Sequence, residues 1–142
     1  MYEMYAFSDL TVEDKEAGLV WTRNANMADK KITWYDASKF IEGINKQKYA
    51  GYDNWRLPTK EELQALVDAI QKEAYEEYEG CVSNFNELLN EIGFKNVRPG
   101  GYWSSATDDD TIGAGGVYMG VGRVFVYIKS GNYHVWPVRA GQ

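Results

Sequence analysis

Apolar positions recur at helical spacing in three parts of the chain. Ala37, Phe40, Ile41 and Ile44 lie on one helical face. Thr33 stands ahead of them as an N-cap, and Trp34 lies near the start. Asp36 falls in the first turn, where a carboxylate suits the positive end of the helix dipole. Gly43 inside this stripe costs about 1 kcal/mol of helix propensity relative to alanine. Leu63, Leu66, Val67 and Ile70 repeat the spacing and predict a second helix from Lys60 to about Lys72. The run Asp53-Asn54-Trp55-Arg56-Leu57-Pro58-Thr59-Lys60-Glu61-Glu62-Leu63 sets its start. Pro58 keeps Leu57 extended, and Thr59 with Glu62 makes a capping box. The acidic and aromatic stretch 73–80 either extends this helix or covers its end. A shorter third helix is expected over 84–92, with Phe85, Leu88, Leu89 and Ile92 on one face and Gly93 placed as its C-cap.

Elsewhere the spacing is that of strands. Residues 5–8 and 19–22 read as short strands, with a polar, turn-like segment over 9–18 and a loop over 24–31. Pro99-Gly100-Gly101 is strong turn punctuation, and the chain beyond it is strand-like. Strands are predicted over 102–106, 116–120, 123–129 and 133–138, with turns at 121–122 and 130–132. Residues 123–129 are apolar on both alternating faces, which suits a strand covered on both sides. Pro137 marks an edge or bulge near the end of the last strand. Helices in the first two thirds and a meander in the last third predict an α+β fold. Neither linker nor repeat interrupts residues 1–142, so one domain is expected.

Charge and composition narrow the function classes. The net charge is −6, which disfavours a nucleic-acid backbone or an anionic membrane as partner. No apolar run reaches the roughly 20 residues of a membrane span. The N-terminal residues show no basic-then-apolar signal pattern. A single cysteine, Cys81, rules out an intramolecular disulfide, and it reads as a small apolar residue. A single histidine, His134, gives no support for a catalytic triad or a histidine-rich metal site. Asp108, Asp109 and Asp110 form a dense carboxylate run, but three adjacent side chains cannot all point at one cation, and a solvated loop is expected. No cofactor or metal is expected.

Aromatic content is high, at 15%. Trp21, Trp34, Trp55, Trp103 and Trp136 are expected to be structural, because large rings dominate burial. Arg56 is expected to be a paired arginine, held by Glu61, Glu62 or backbone carbonyls, since an unpaired buried charge is costly. The binding candidates are Tyr118, Arg123, Tyr127, Tyr133 and His134, in the last strands. They offer rings, a planar cation and hydrogen-bonding groups. Strand alternation prevents all five from sharing one face.

Five blocks occur in order: Gly18-Leu19-Val20-Trp21, Trp34-Tyr35-Asp36-Ala37, the Trp55-Arg56-Leu57-Pro58-Thr59 run, Tyr102-Trp103-Ser104-Ser105, and Val135-Trp136-Pro137-Val138-Arg139. Together they resemble the Lcl C-terminal-like domain family, a bacterial domain of unknown function, over about residues 5–140. The resemblance implies a C-type-lectin-like fold with the termini close together, two main helices plus a short third, and mixed, mainly antiparallel strands. It also implies a non-enzymatic module of adhesin-like character, often secreted or surface-exposed, that recognises a carbohydrate or protein partner. The alternatives are a structural or assembly module and an enzyme of the formylglycine-generating branch. Two departures bear on this. Pro137 stands where relatives often carry cysteine, and the calcium-lectin triplets Glu-Pro-Asn, Gln-Pro-Asp and Trp-Asn-Asp are absent.

Overall fold

The computed structural model describes residues 4–78, 85–107, 113–118 and 123–141, and within these leaves aside the side chains of 73–78, 85, 106–107, 113 and 123–127. Cys81, Asp108, Asp109 and Asp110 lie outside the described residues. Among the described residues, three α-helices and two antiparallel sheets make an α+β domain. The strands are β1 (Tyr5–Phe7), β2 (Thr11–Asp14), β3 (Leu19–Thr22), β4 (Gly101–Thr107), β5 (Gly113–Tyr118), β6 (Arg123–Ile128) and β7 (Val138–Ala140). The helices are α1 (Trp34–Lys46), α2 (Lys60–Tyr78) and α3 (Phe85–Ile92). The first sheet has the order β1-β2-β3-β7 and the second β4-β5-β6. The last strand thus closes onto the first three, and the Gly141 amide bonds the Gly18 carbonyl at 2.8 Å.

Period-two alternation divides the interior into two cores. Trp21, Tyr102 and Trp136 enter one, with Leu63, Leu66 and Ile70 of α2. Their chain neighbours Val20, Trp103 and Val135 enter the other, with Ala37, Ile41 and Ile44 of α1. Helix α2 lies against β4, β5 and β6. Between the sheets runs an irregular segment, in which Tyr133 bridges Ile32, His134 bridges Tyr102, and Arg56 bridges Val138.

Several expectations change. The segment 9–18 contains strand β2, which holds one apolar residue, Val12, and is fixed by pairing on both sides with β1 and β3. Helix α2 runs on past Lys72 to Tyr78, so of the two readings of the acidic stretch the structure gives the extension. Of the strand expected over 133–138, Val138 alone lies in a strand, β7, while Tyr133 and His134 make isolated bridges. The turn at 130–132 therefore does not close a hairpin, although Gly131 bonds back to the Ile128 carbonyl at 2.8 Å. Strand β6 is an edge of its sheet and Ile128 is 64% exposed, so the strand is not covered on both sides there.

Both expected helix starts are present. The Asp36 amide bonds Thr33 Oγ1 at 3.1 Å. The Glu62 amide bonds Thr59 Oγ1 at 3.0 Å, and the Thr59 amide bonds Glu62 Oε1 at 2.9 Å. The end of α1 is less well matched. Gln47 is the C-cap, and the next residue, Lys48, is left-handed at φ 51°, a position that usually belongs to glycine. Lys48 is exposed and contributes no burial there. Lys48→Gly is expected to stabilise the domain by about 1 kcal/mol. A urea titration showing no gain, or a loss, would contradict this.

Candidate functional site

Helix α1, the entry to α2 and strand β4 meet at an open cleft of about 230 Å³. Trp34, Ser38 and Ile41 line it from α1, at positions one and two helical turns apart. Trp55, Arg56 and Leu57 form a second wall, and Ser105 of β4 completes it. Each wall is fixed from behind. Asn45 of α1 clamps Trp55 by accepting from its amide at 2.7 Å and donating to its carbonyl at 2.9 Å. The Trp55 indole N–H donates to the Tyr49 carbonyl at 3.0 Å. The Trp34 indole N–H donates to the Ser104 carbonyl at 3.0 Å, and the Ser105 amide donates to the Pro58 carbonyl at 2.8 Å. The last two of these bonds reach across about 50 and 70 positions of sequence, so the cleft is held by tertiary structure and not by one loop.

The charge in the wall is neutralised internally. Arg56 Nη1 and Nη2 bond the two oxygens of Glu62 at 2.7 and 2.8 Å, a bidentate pair. Arg56 Nη1 also donates to the Leu57 carbonyl at 3.3 Å. The Arg56 bonds, with help from the Thr59 amide, hold the Glu62 carboxyl below the usual range, while the same carboxylate holds Arg56 more firmly protonated. This is the pairing expected from the sequence, with Glu62 as the acid. Glu62 therefore serves both the helix cap and the arginine. Glu62→Ala is expected to cost about 1–2 kcal/mol, mostly from the cap, because the half-exposed guanidinium can be solvated by water. A loss below about 0.5 kcal/mol in urea melts would show that the cap contributes nothing.

Lys129, which does not line the cleft, places its ammonium 4.6 Å from the centroid of the Trp34 ring. The Lys129 residue is 6% exposed. Among the described residues no carboxylate pairs with it, and the indole face is its partner. A second, larger groove of about 550 Å³ is lined by Ser8, Asp9, Leu10, Thr11, Ala50 and Tyr52. One face of its Tyr52 is already taken, with the Arg139 guanidinium 3.7 Å from the ring centroid.

Of the five binding candidates from the last strands, three have described side chains, Tyr118, Tyr133 and His134, and these differ in exposure and surroundings. Tyr118 is 40% exposed on β5. Arg123 stands opposite it in register and Tyr127 opposite Ala114, and the side chains of both lie outside what is described. Tyr133 packs its ring edge-on against Trp103 at 5.0 Å. His134 is buried, 5.1 Å from the Tyr102 ring centroid and beneath Gly100. Burial pushes its pKa down to about 4, and the cations Lys31 and Arg98 add to the shift. Of the six residues expected to be structural, Trp21, Trp55, Trp103 and Trp136 are buried, while Trp34 and Arg56 are half-buried and face the cleft. Ser38 and Ser105 were not singled out in the sequence. The signal for Ser38 was present, as a polar residue one turn after Trp34 on the otherwise apolar face of α1. Ser105 has no such local signal. Among the described residues, no group of three or more His, Cys, Asp or Glu side chains is placed to hold a metal ion, and no helix is long and apolar enough to cross a membrane.

These features define an α+β domain of two antiparallel sheets, with a small aromatic cleft where one helix, one helix entry and one strand meet. The chain belongs to the Lcl C-terminal domain family, whose model matches residues 10–139. No curated protein matches the chain.

Proposed function

We propose that this domain is a non-enzymatic ligand-binding module of C-type-lectin-like fold, adhesin-like in character, which recognises a carbohydrate or protein partner through the Trp34–Ser105 cleft. One observation carries the reading. Three blocks far apart in sequence, around Trp34, Trp55 and Ser105, are braced by hydrogen bonds so that two indoles, two hydroxyls and a guanidinium line one open cleft. Pre-formed concave sites with apolar walls and few polar groups are the usual form of small-ligand sites. Binding is favoured over catalysis because the sole histidine is buried against Tyr102 and away from the cleft, and the cleft arginine is already paired. A purely structural role for the module is favoured by the burial of four of the five tryptophans, and the same experiment tests it.

The experiment probes immobilised domain with glycan and peptide arrays, using the wild type, Ser38→Tyr and Tyr118→Ala. Ser38 is exposed on α1, so tyrosine there fills the cleft without entering the core. Binding lost in Ser38→Tyr and kept in Tyr118→Ala is the expected result. The opposite pattern would move the site to the last-strand face. Absence of any specific array signal would favour the structural role.

A further inference from the structure

We infer that the cleft takes an uncharged ring with one apolar face and a hydrogen-bonding edge, a neutral pyranoside, and rejects the same ring when it carries a carboxylate, sulfate or ammonium group. This rests on the reading of the cleft as the binding site.

The charge in the cleft wall is already balanced. Among the described residues, Arg56 is the one ionisable side chain in its wall, and both terminal nitrogens are committed to Glu62. An anionic ligand meets a guanidinium whose charge the Glu62 carboxylate already offsets, and one that took the place of Glu62 would also break the Thr59 amide bond at the start of α2. No carboxylate lines the cleft, so an ammonium on the ligand meets no counter-charge. Lys129 stands over the Trp34 indole and is not part of the wall. The net charge of −6 further opposes the approach of an anion. Bringing a charged group into such a site costs desolvation that nothing repays.

What the cleft does offer is apolar surface and free hydroxyls. Trp34, Ile41, Trp55 and Leu57 supply the apolar wall. Ser38 and Ser105 are exposed, and neither hydroxyl is tied to another group among the described residues. Each can donate and accept. A pyranose ring presents C–H groups on one face and hydroxyls around its edge, which matches an aromatic wall flanked by serines. The volume of about 230 Å³ lies below the roughly 300–1,000 Å³ of drug-sized sites, so one ring fills it.

The test is a titration of the Trp34 indole N–H resonance in the full chain. The neutral probes are the methyl glycosides of glucose, galactose and mannose, with N-acetylglucosamine. The charged counterparts are glucuronate, glucose 6-sulfate and glucosamine. Each is run at about 20 and about 300 mM salt, a range that screens exposed charge contacts strongly. The expected result is saturable binding of at least one neutral probe, changed by less than about twofold by salt, with each charged counterpart at least about tenfold weaker. Ser38→Tyr and Ser105→Tyr fill the cleft from two sides, and both should abolish the shift while melting like the wild type. Tighter, salt-sensitive binding of a charged probe that both variants abolish would overturn the neutral-ring inference and leave the cleft standing. Binding that survives in both variants would overturn the cleft as well. If no probe moves Trp34, the neutral-ring inference falls, and the peptide arm of the array experiment decides the cleft.

Discussion

Trp136→Ala is expected to remove about 3–5 kcal/mol of stability, a large part of the roughly 5–15 kcal/mol that holds a domain folded. Trp136 is fully buried, and its ring lies 5.1 Å from Trp21, 5.3 Å from Phe94 and 5.8 Å from Tyr102. Its indole N–H donates to the Thr22 carbonyl at 2.8 Å. The substitution therefore opens a cavity and also strips a buried carbonyl of its donor. Position matters as much as size. Trp136 lies in the irregular segment that joins β4, through His134, to β3, through β7. A void there loosens the contact between the two sheets, where neighbours cannot easily collapse inward. At about 3 °C per kcal/mol for a chain of this size, the melting temperature should fall by about 10–15 °C. Trp136→Phe keeps part of the ring volume and should lose about 1–3 kcal/mol. Tyr35→Ala is the control. Tyr35 is 54% exposed and should change stability by less than about 0.5 kcal/mol. A Trp136→Ala protein within about 1 kcal/mol of wild type would mean that this tryptophan does not join the sheets energetically.

The same residues show what could be read from the sequence and what could not. Thr33 with Asp36, and Thr59 with Glu62, are local signals whose partners stand three positions apart, and both caps form as expected. The cost of an unpaired charge pointed Arg56 to Glu61, Glu62 or backbone carbonyls, and the structure gives Glu62 and the Leu57 carbonyl. Strand β2 was hidden because Thr11-Val12-Glu13-Asp14 has one apolar residue, and its strand character comes from partners on both sides. Residues 133–138 have strand composition. Their partners, however, are Ile32, Tyr102, Arg56 and Trp21, and no periodicity within the segment encodes that choice. The cleft follows the same division. Trp34 and Trp55 stand out in the sequence as large rings, which suggests burial. Their shared wall with Ser105 depends on bonds such as Trp34 to Ser104, across 70 positions. Distances of that kind are set by the packing of two cores and not by local preference.

Mild acid is expected to destabilise the domain through His134. Burial and the nearby cations Lys31 and Arg98 lower its pKa from the ordinary 6.5 to about 4. The groups facing it are the Tyr102 ring, Gly100 with the Lys31 side chain beside it, and Arg98, and none of these is an acid. Its Nδ1 is buried with no hydrogen-bond partner among the described residues. The sign follows from proton counts. Above pH 6.5 neither the folded nor the unfolded chain protonates this ring. Between about 6.5 and 4 the unfolded chain takes up a proton that the folded one refuses, so stability falls as pH falls. The slope approaches about 1.4 kcal/mol per pH unit, giving a total loss on the order of 2–4 kcal/mol across the window. Glu62, whose pKa is lowered, adds its own loss only below the ordinary carboxylate range. Urea melts between pH 7 and pH 5 therefore isolate the histidine. His134→Phe keeps a ring against Tyr102 and removes the titration, so its stability should stay nearly level over that interval while the wild type declines. The His134 ring resonances should titrate with a midpoint near 4 in the folded protein. Parallel pH profiles for the two proteins, or a midpoint near 6.5, would show that the ring is not held neutral by its surroundings. The backbone consequence is specific. The Trp103 amide bonds the His134 carbonyl at 3.0 Å, and the His134 amide bonds the Gly101 carbonyl at 2.9 Å. A charge forced onto this ring therefore strains the junction where β4 meets the closing segment, and β4 carries Ser105 into the cleft.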